Sequence, residues 1–484
     1  MVMPNVPLKP NCLSFTEVLA QAVALISPTM TAALIIPVMY SNTGDWSWMS
    51  YALGTVMLLF VAYNLNQFAS RSTGAGSMYA YICRGLGVSA GAVGGWSLIW
   101  AYLGISVAGA TGFSIFADTL LKMVGLEVPP IALFALCVAG SWYCAWKNVK
   151  LSAMLMLAFE GVSCALIVAL CLIVLRQHHF AVDSAQFDVS ALPWSSVGLG
   201  VVVAIFSLVG FECATAFGDE AKDPLKSIPR AVMVSLLISG AFFVFVTYVM
   251  VLGVRGYSTP LDKLDTPLNT LATLANVAPL SIPLSLGAMF SFFALNLSCL
   301  NAGARVIYAM GRHGIFHEST ADAHATNETP HVAVTVMAII SFALPTLAAA
   351  FVHLAPLDIF NYAGTLAAFG FITPYCLITV AAPVYLKSLG EQRPINLVMC
   401  AASLVLLMIP AVGSVVPIPD PPVNYFPYAY LVYLALGILW IVAFHKRKPM
   451  AVGAIKQDLE ANHARFQQDL APAQAPAIAS PKAA

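Results

Sequence analysis

Twelve apolar stretches recur along the chain, at 15–40, 50–69, 91–121, 129–146, 150–175, 195–219, 231–253, 280–304, 331–353, 357–386, 395–416 and 427–444. Each is near the roughly 20 residues needed to cross the hydrocarbon core of a bilayer. No other feature narrows the fold as much. In lipid every backbone polar group must be satisfied inside the protein, so only helices and closed barrels span it. These runs are read as membrane-spanning helices of an all-α, polytopic membrane protein. The composition agrees: 60% of residues are hydrophobic, 9% are charged, and mean hydropathy is +0.84. A soluble domain carries about 25% charged residues. The formal net charge of zero argues against a nucleic-acid partner. No GxxxxGK[ST] loop occurs, so no nucleotide partner is expected.

The basic residues orient the spans. With the N-terminus inside, eighteen of the 22 lysines and arginines fall on the cytoplasmic side. Only Lys122, Arg176, Arg255 and Lys263 fall outside. Leaving out Arg465 and Lys482 in the far tail, the bias is sixteen to four, as the positive-inside rule requires. Both termini are expected in the cytoplasm. The first run is too long for the core of a signal peptide and is read as a span. The ten cysteines lie mostly within apolar runs, in no disulfide or zinc pattern. His313, His317, His324 and His331 share one loop at spacings that fit no zinc module. No metal and no cofactor are expected.

Two of the spans are interrupted at mid-depth. In the sixth, Ser207 and Gly210 precede Glu212, and no basic residue follows until Lys222; Pro224 and Pro229 are expected to end the stretch. A carboxylate at a helix centre costs about 2.5–3.5 kcal/mol on insertion scales and usually faces a cavity or a partner. In the first span Pro28 lies between Ser27 and Thr29, and a proline removes a donor and frees a carbonyl. Five spans separate the two breaks, so the second block enters the membrane from the opposite face. Interrupted helices at matching positions of inverted blocks point to the binding site of a secondary transporter.

Three motifs carry a family resemblance. After span 2 come Arg71, Gly74, Gly76, Tyr79, Tyr81, Gly85 and Gly87, then Gly91, Gly94, Gly95 and Trp96 at the start of span 3. In span 6, Gly210-Phe211-Glu212 is followed by Glu220, Pro224, Pro229 and Ala231. After span 8 come Asn301, Arg305, Tyr308, Arg312 and Gly314, ahead of Thr329-Pro330. Over residues 14–445 the chain resembles the amino acid/polyamine/organocation (APC) permease superfamily. That resemblance implies a LeuT-like fold of twelve transmembrane helices, a five-plus-five inverted repeat with two C-terminal helices added. The expected layout is a cytoplasmic segment 1–14, repeats at 15–175 and 195–386, helices 11 and 12 at 395–444, and a cytoplasmic, disordered tail at 445–484.

The resemblance also implies a permease of the plasma membrane. It moves an amino acid or related small amine by alternating access, driven by protons or exchange. A polyamine or other organic cation is the alternative substrate; a membrane enzyme or a non-transporting sensor fits less well. Two departures from the family stand out. Its Gly-x-Gly break in span 1 is replaced here by residues 27–33, and the lysine that some members carry in span 5 is absent, with Glu160 in that span instead. The expected substrate-contacting residues are Ser27, Pro28, Thr29, Thr31, Tyr102, Phe206, Ser207, Gly210 and Phe211. Glu212 and Glu160 are the expected proton-coupling residues. Arg71 and Arg305 are candidates to clamp the inner gate with Asp219 or Glu220. Beyond the solute and the bilayer an oligomeric partner is not required, since a monomer can complete this fold.

Overall fold

The computed structural model describes residues 7–447, apart from Thr73, Ala75, Ser77, residues 189–193, Asp265 and Pro417, and in addition Gly453 and Ile455. The tail expected at 445–484 therefore lies almost wholly outside the described residues, as do three positions of the glycine-rich motif after span 2. Among the described residues the chain is helical, with one isolated parallel bridge between Leu13 and Ala221.

The membrane helices begin where their sequences supply a start. Ser14 and Glu17 form a capping box on α1 (Phe15–Ile26), which satisfies backbone donors otherwise left open at a helix start. After a short turn and a π-helical segment the chain continues as α2 (Ile36–Thr43), then turns at Gly44 into α3 (Ser47–Ala69). A short helix, α4 (Met78–Leu86), leads into the 36-residue α5 (Val88–Met123). Pro130 opens α6 (Pro130–Lys147). Asn148 caps α7 (Val149–Gln177) by accepting from the Lys150 and Leu151 N–H groups at 2.8 and 3.2 Å.

The second half follows as α8 (Trp194–Leu208), α9 (Pro224–Gly253), the short α10 (Pro267–Leu274) and α11 (Ser281–Arg312). It ends with α12 (His331–Phe351), α13 (Pro356–Ser388), α14 (Pro394–Gly413) and α15 (Phe426–Arg447). Proline stands at the first turn of α6, α9, α10, α13 and α14, where its missing N–H costs nothing.

Two expectations change here. Pro224 and Pro229 do not end the sixth span; Pro224 starts α9 and Pro229 lies inside it. The Asn301–Arg312 motif does not follow span 8 but forms its last three turns, because α11 extends to Arg312.

Helix α5 lies at the centre and packs along both α11 and α13. Small residues permit this. A Cβ on Gly109 would stand 3.0 Å from the Asn296 N of α11, and one on Gly370 of α13 would stand 2.8 Å from the Ala101 N of α5. Association in lipid depends on such close backbone approach, since apolar burial gives little drive between helices there. By length and composition, ten stretches among the described residues can cross a membrane. The outer helices α14 and α15 expose large apolar side chains such as Val405, Val432 and Leu439, as lipid-facing helices do.

Candidate functional site

The first span breaks at Ser27, whose φ is +49°. Ser27 ends α1, and Pro28 then begins a new three-residue turn, Pro28–Met30, whose Met30 N–H donates to Ser27 Oγ at 3.4 Å. A π-helical segment, Thr31–Ile35, follows; such bulges accompany functional sites in many helices. The sixth span breaks at Gly210, with φ +106°. Beyond it the chain winds as a 3-10 helix, Phe211–Ala216.

The two breaks touch. A Cβ on Gly210 would stand 2.2 Å from Leu25 Cδ2, 3.1 Å from Leu25 C and 3.2 Å from Ile26 N. Only glycine fits both this positive φ and this contact.

Glu212 is fully buried at this junction. Its Oε2 accepts from the Gly210 N–H at 2.9 Å and from the Tyr375 hydroxyl at 2.7 Å, and its Oε1 accepts from the Tyr102 hydroxyl at 3.2 Å. One carboxylate thus ties the span 6 break to α5 and α13. Phe211, also fully buried, has its ring 5.5 Å from that of Tyr375.

Glu160 of α7 sits on the other side of the span 1 break. Its Oε1 accepts from the Thr29 N–H at 3.0 Å, and Thr29 Oγ1 lies 3.0 Å from the same oxygen and 2.8 Å from Ser163 Oγ. Ser291 of α11 donates to Glu160 Oε2, and Ser27 Oγ lies 3.1 Å from Ser291 Oγ. Among the described residues, no basic side chain pairs with Glu160 or Glu212.

The expected site residues therefore divide into two groups. Tyr102, Gly210, Phe211 and Glu212 come together, and so do Ser27, Pro28, Thr29 and Glu160. Thr31 is buried in the π-helical segment. Ser207 faces the Tyr51 hydroxyl at 3.3 Å, and half-buried Phe206 packs over Gly364. Tyr375, Ser291 and Ser163 were not singled out in the sequence. Tyr375 alone left a trace there, a hydroxyl-bearing ring beside Pro374 in an apolar run.

Below the junction, Arg305 of α11 and Glu220 form a buried ion pair, with Arg305 Nη2 donating to Glu220 Oε1 at 2.8 Å. The guanidinium also lies 4.4 Å from the centre of the Phe217 ring. Residues 12 and 13 are tied to the same loop. The Cys12 and Leu13 N–H groups donate to the Glu220 carbonyl at 2.8 and 2.9 Å, and the Lys222 N–H donates to the Leu13 carbonyl at 2.7 Å. Arg71 is not part of this latch; it pairs with Glu391 at 2.8 Å. Of the loop histidines, His313 bonds the Tyr79 hydroxyl and His324 meets His331 edge to face.

An all-helical, apolar chain with two interrupted helices in contact and a buried carboxylate between them defines a class, the membrane transport proteins built on broken helices. Residues 17–452 match the amino acid permease family, and the chain belongs to it. It is similar to the branched-chain amino acid permease BcaP of Bacillus subtilis, 23% identical over 362 residues, covering 70% of this chain and 73% of that one. It is 26% identical over 379 residues to BcaP of Lactococcus lactis, covering 75% and 80%. It is also 26% identical over 282 residues to the low-affinity putrescine importer PlaP of Escherichia coli, covering 56% and 60%.

Proposed function

We propose that this chain is a proton-coupled secondary transporter of the plasma membrane, multi-pass with both termini cytoplasmic, that carries an amino acid or related small amine by alternating access. In this reading Phe15–Ala69 holds two spans and the 18-residue Pro130–Lys147 is another, which brings the count to twelve in a LeuT-like five-plus-five arrangement with two helices added. The observation that carries the proposal is the contact between the Ser27 and Gly210 breaks, with Glu212 at the junction. Parting the two breaks would take the Gly210, Tyr375 and Tyr102 donors away from Glu212, which links the state of this carboxyl to opening and closing. Glu160, bonded to the start of the second half of span 1, is the second coupling group.

A polyamine-like cation is the second reading. The Thr29 N–H, at the start of the second half-helix where a substrate carboxylate would dock, is already taken by Glu160. Two carboxylates with no basic partner among the described residues favour an amine that brings no carboxylate of its own.

Uptake into proteoliposomes, with amino acids and diamines offered with and without an inward-acid pH gradient, tests both. Accumulation of either class that rises with the gradient is expected, and the better substrate decides between the readings. Uptake indifferent to the gradient and to Glu212→Gln would remove the proton role.

A further inference from the structure

A cavity of about 330 Å³ opens between the start of α5 and the end of α15. Its walls are apolar, from Val93, Ile438, Ile441 and Val442, and its rim is polar, from Ser89, His445 and Lys446. Helix α5 begins at Val88, and the apolar run of α15 gives way to His445, Lys446 and Arg447 at the same level, so the rim lies at one membrane–water interface and the walls run into the hydrocarbon region.

The rim is positive. His445, Lys446 and Arg447 occupy the last turn of α15, and among the described residues no carboxylate pairs with Lys446 or Arg447. His445 is engaged on both sides: Nδ1 lies 2.8 Å from the Ile441 carbonyl and Nε2 lies 3.2 Å from Ser89 Oγ. The imidazole thereby holds Ser89 at the rim and leaves the Lys446 ammonium as the exposed cation of the cavity. The first turn of α5 starts at Gly87 without a side-chain cap, so its backbone donors add to the same positive rim.

A second groove, of about 500 Å³ between α5, α6, α7 and α11, shows what a purely apolar one looks like. Phe113, Leu133 and Phe290 line it, and no polar or charged side chain does. It suits acyl chains and offers a head group nothing. The α5/α15 cavity differs by joining an apolar channel to a cationic mouth at the right depth.

We propose that the α5/α15 cavity is a binding site for one anionic phospholipid of the adjoining leaflet. The phosphodiester sits against Lys446 and Ser89, and one acyl chain runs along Val93, Ile438 and Val442. Basic residues just outside a membrane helix attract anionic lipid in general; here the cavity adds a place for the chain and hence selectivity for an intact lipid over a free anion.

The test is native mass spectrometry of the detergent-purified full chain supplied with equal amounts of phosphatidylglycerol and phosphatidylethanolamine. One phosphatidylglycerol should be retained, favoured at least threefold. Lys446→Glu, at an exposed position, should bring the preference to parity, and Val442→Trp, which fills the channel, should abolish retention of either lipid. Parity in the unaltered protein, or a threefold preference that survives Lys446→Glu, would overturn the proposal. Displacement by an equal concentration of soluble glycerol phosphate would also overturn it, by identifying a free-anion site.

Discussion

Glu212 takes three donors from three parts of the chain: its own break, α5 and α13. A hydrogen bond to a charged group contributes about 1.5–3 kcal/mol. Tyr375→Phe removes the shortest of the three, and a lowered unfolding temperature is expected, together with a pH profile of uptake that moves but persists. Glu212→Gln is expected instead to flatten that profile. If Tyr375→Phe also flattens it, the tyrosine carries the proton and the assignment to Glu212 fails. Gly210→Ala should abolish uptake, since the added Cβ meets Leu25 on both side chain and backbone at a φ that L-residues adopt at a cost of about 1–3 kcal/mol. Adding Leu25→Ala relieves only the side-chain clash, so the double variant should stay impaired; full recovery would mean that side-chain space alone matters there. Gly210, Glu212 and Pro28 are legible in the sequence because polar or helix-breaking residues are costly at bilayer depth. Tyr375 and Ser291 are not. They lie 163 residues from Glu212 and 131 from Glu160 respectively, and nothing local marks them as partners.

Two sets of contacts tie the loop after the span 6 break to its neighbours: the Arg305–Glu220 pair to α11, and residues 12 and 13 strapped along the 220–222 loop. Removing one member of a buried pair commonly costs about 3–5 kcal/mol, because the other is left charged and alone. Arg305→Ala is therefore expected to loosen this loop. Cys12 reports on it. Burial, reinforced by the Glu220 carboxylate, pushes its thiol up to about 11, against the opposing pull of Arg305 and Lys9. With the strap closed, the reactive thiolate is scarce at pH 8 and maleimide labelling is slow. Loss of Arg305 with the strap still closed would raise the thiol further and slow labelling more, so an acceleration, expected to be at least tenfold, reports opening. Unchanged or slower labelling would show that the strap holds without the pair. The pairing of Arg305 with Glu220 is readable from its motif in the sequence; the strap is not, since residues 12 and 13 bond through backbone, which carries no residue-type signal.

At the scale of the molecule, the bias of basic residues and the ladder of apolar runs act together to set topology. A fluorescent protein fused after Ala484 should fold and glow in the cytoplasm, and alkaline phosphatase fused there should be inactive. The reverse pattern would invert the orientation assigned to every span. The apolar runs and the helices of the structure coincide to within a few residues at most ends, because the need to bury backbone polar groups in lipid is met locally, by i to i−4 bonds within each run. The exceptions are instructive. Helix α11 extends well past the apolar run into Arg312 because Arg305 finds Glu220, and α9 tolerates Pro229 in an early turn, where few backbone bonds are lost.

What the chain decides alone is membrane residence, helical class, the positions of both breaks and the family to which it belongs, all of which follow from local hydrophobicity, local backbone preference and motif order. What only the folded state decides is which side of each break every polar group faces. Thr29 turns to Glu160 and not to Glu212, and Ser207 turns to Tyr51, because hydrogen-bond partners in a low-dielectric interior are chosen by distance in space across helices far apart in sequence.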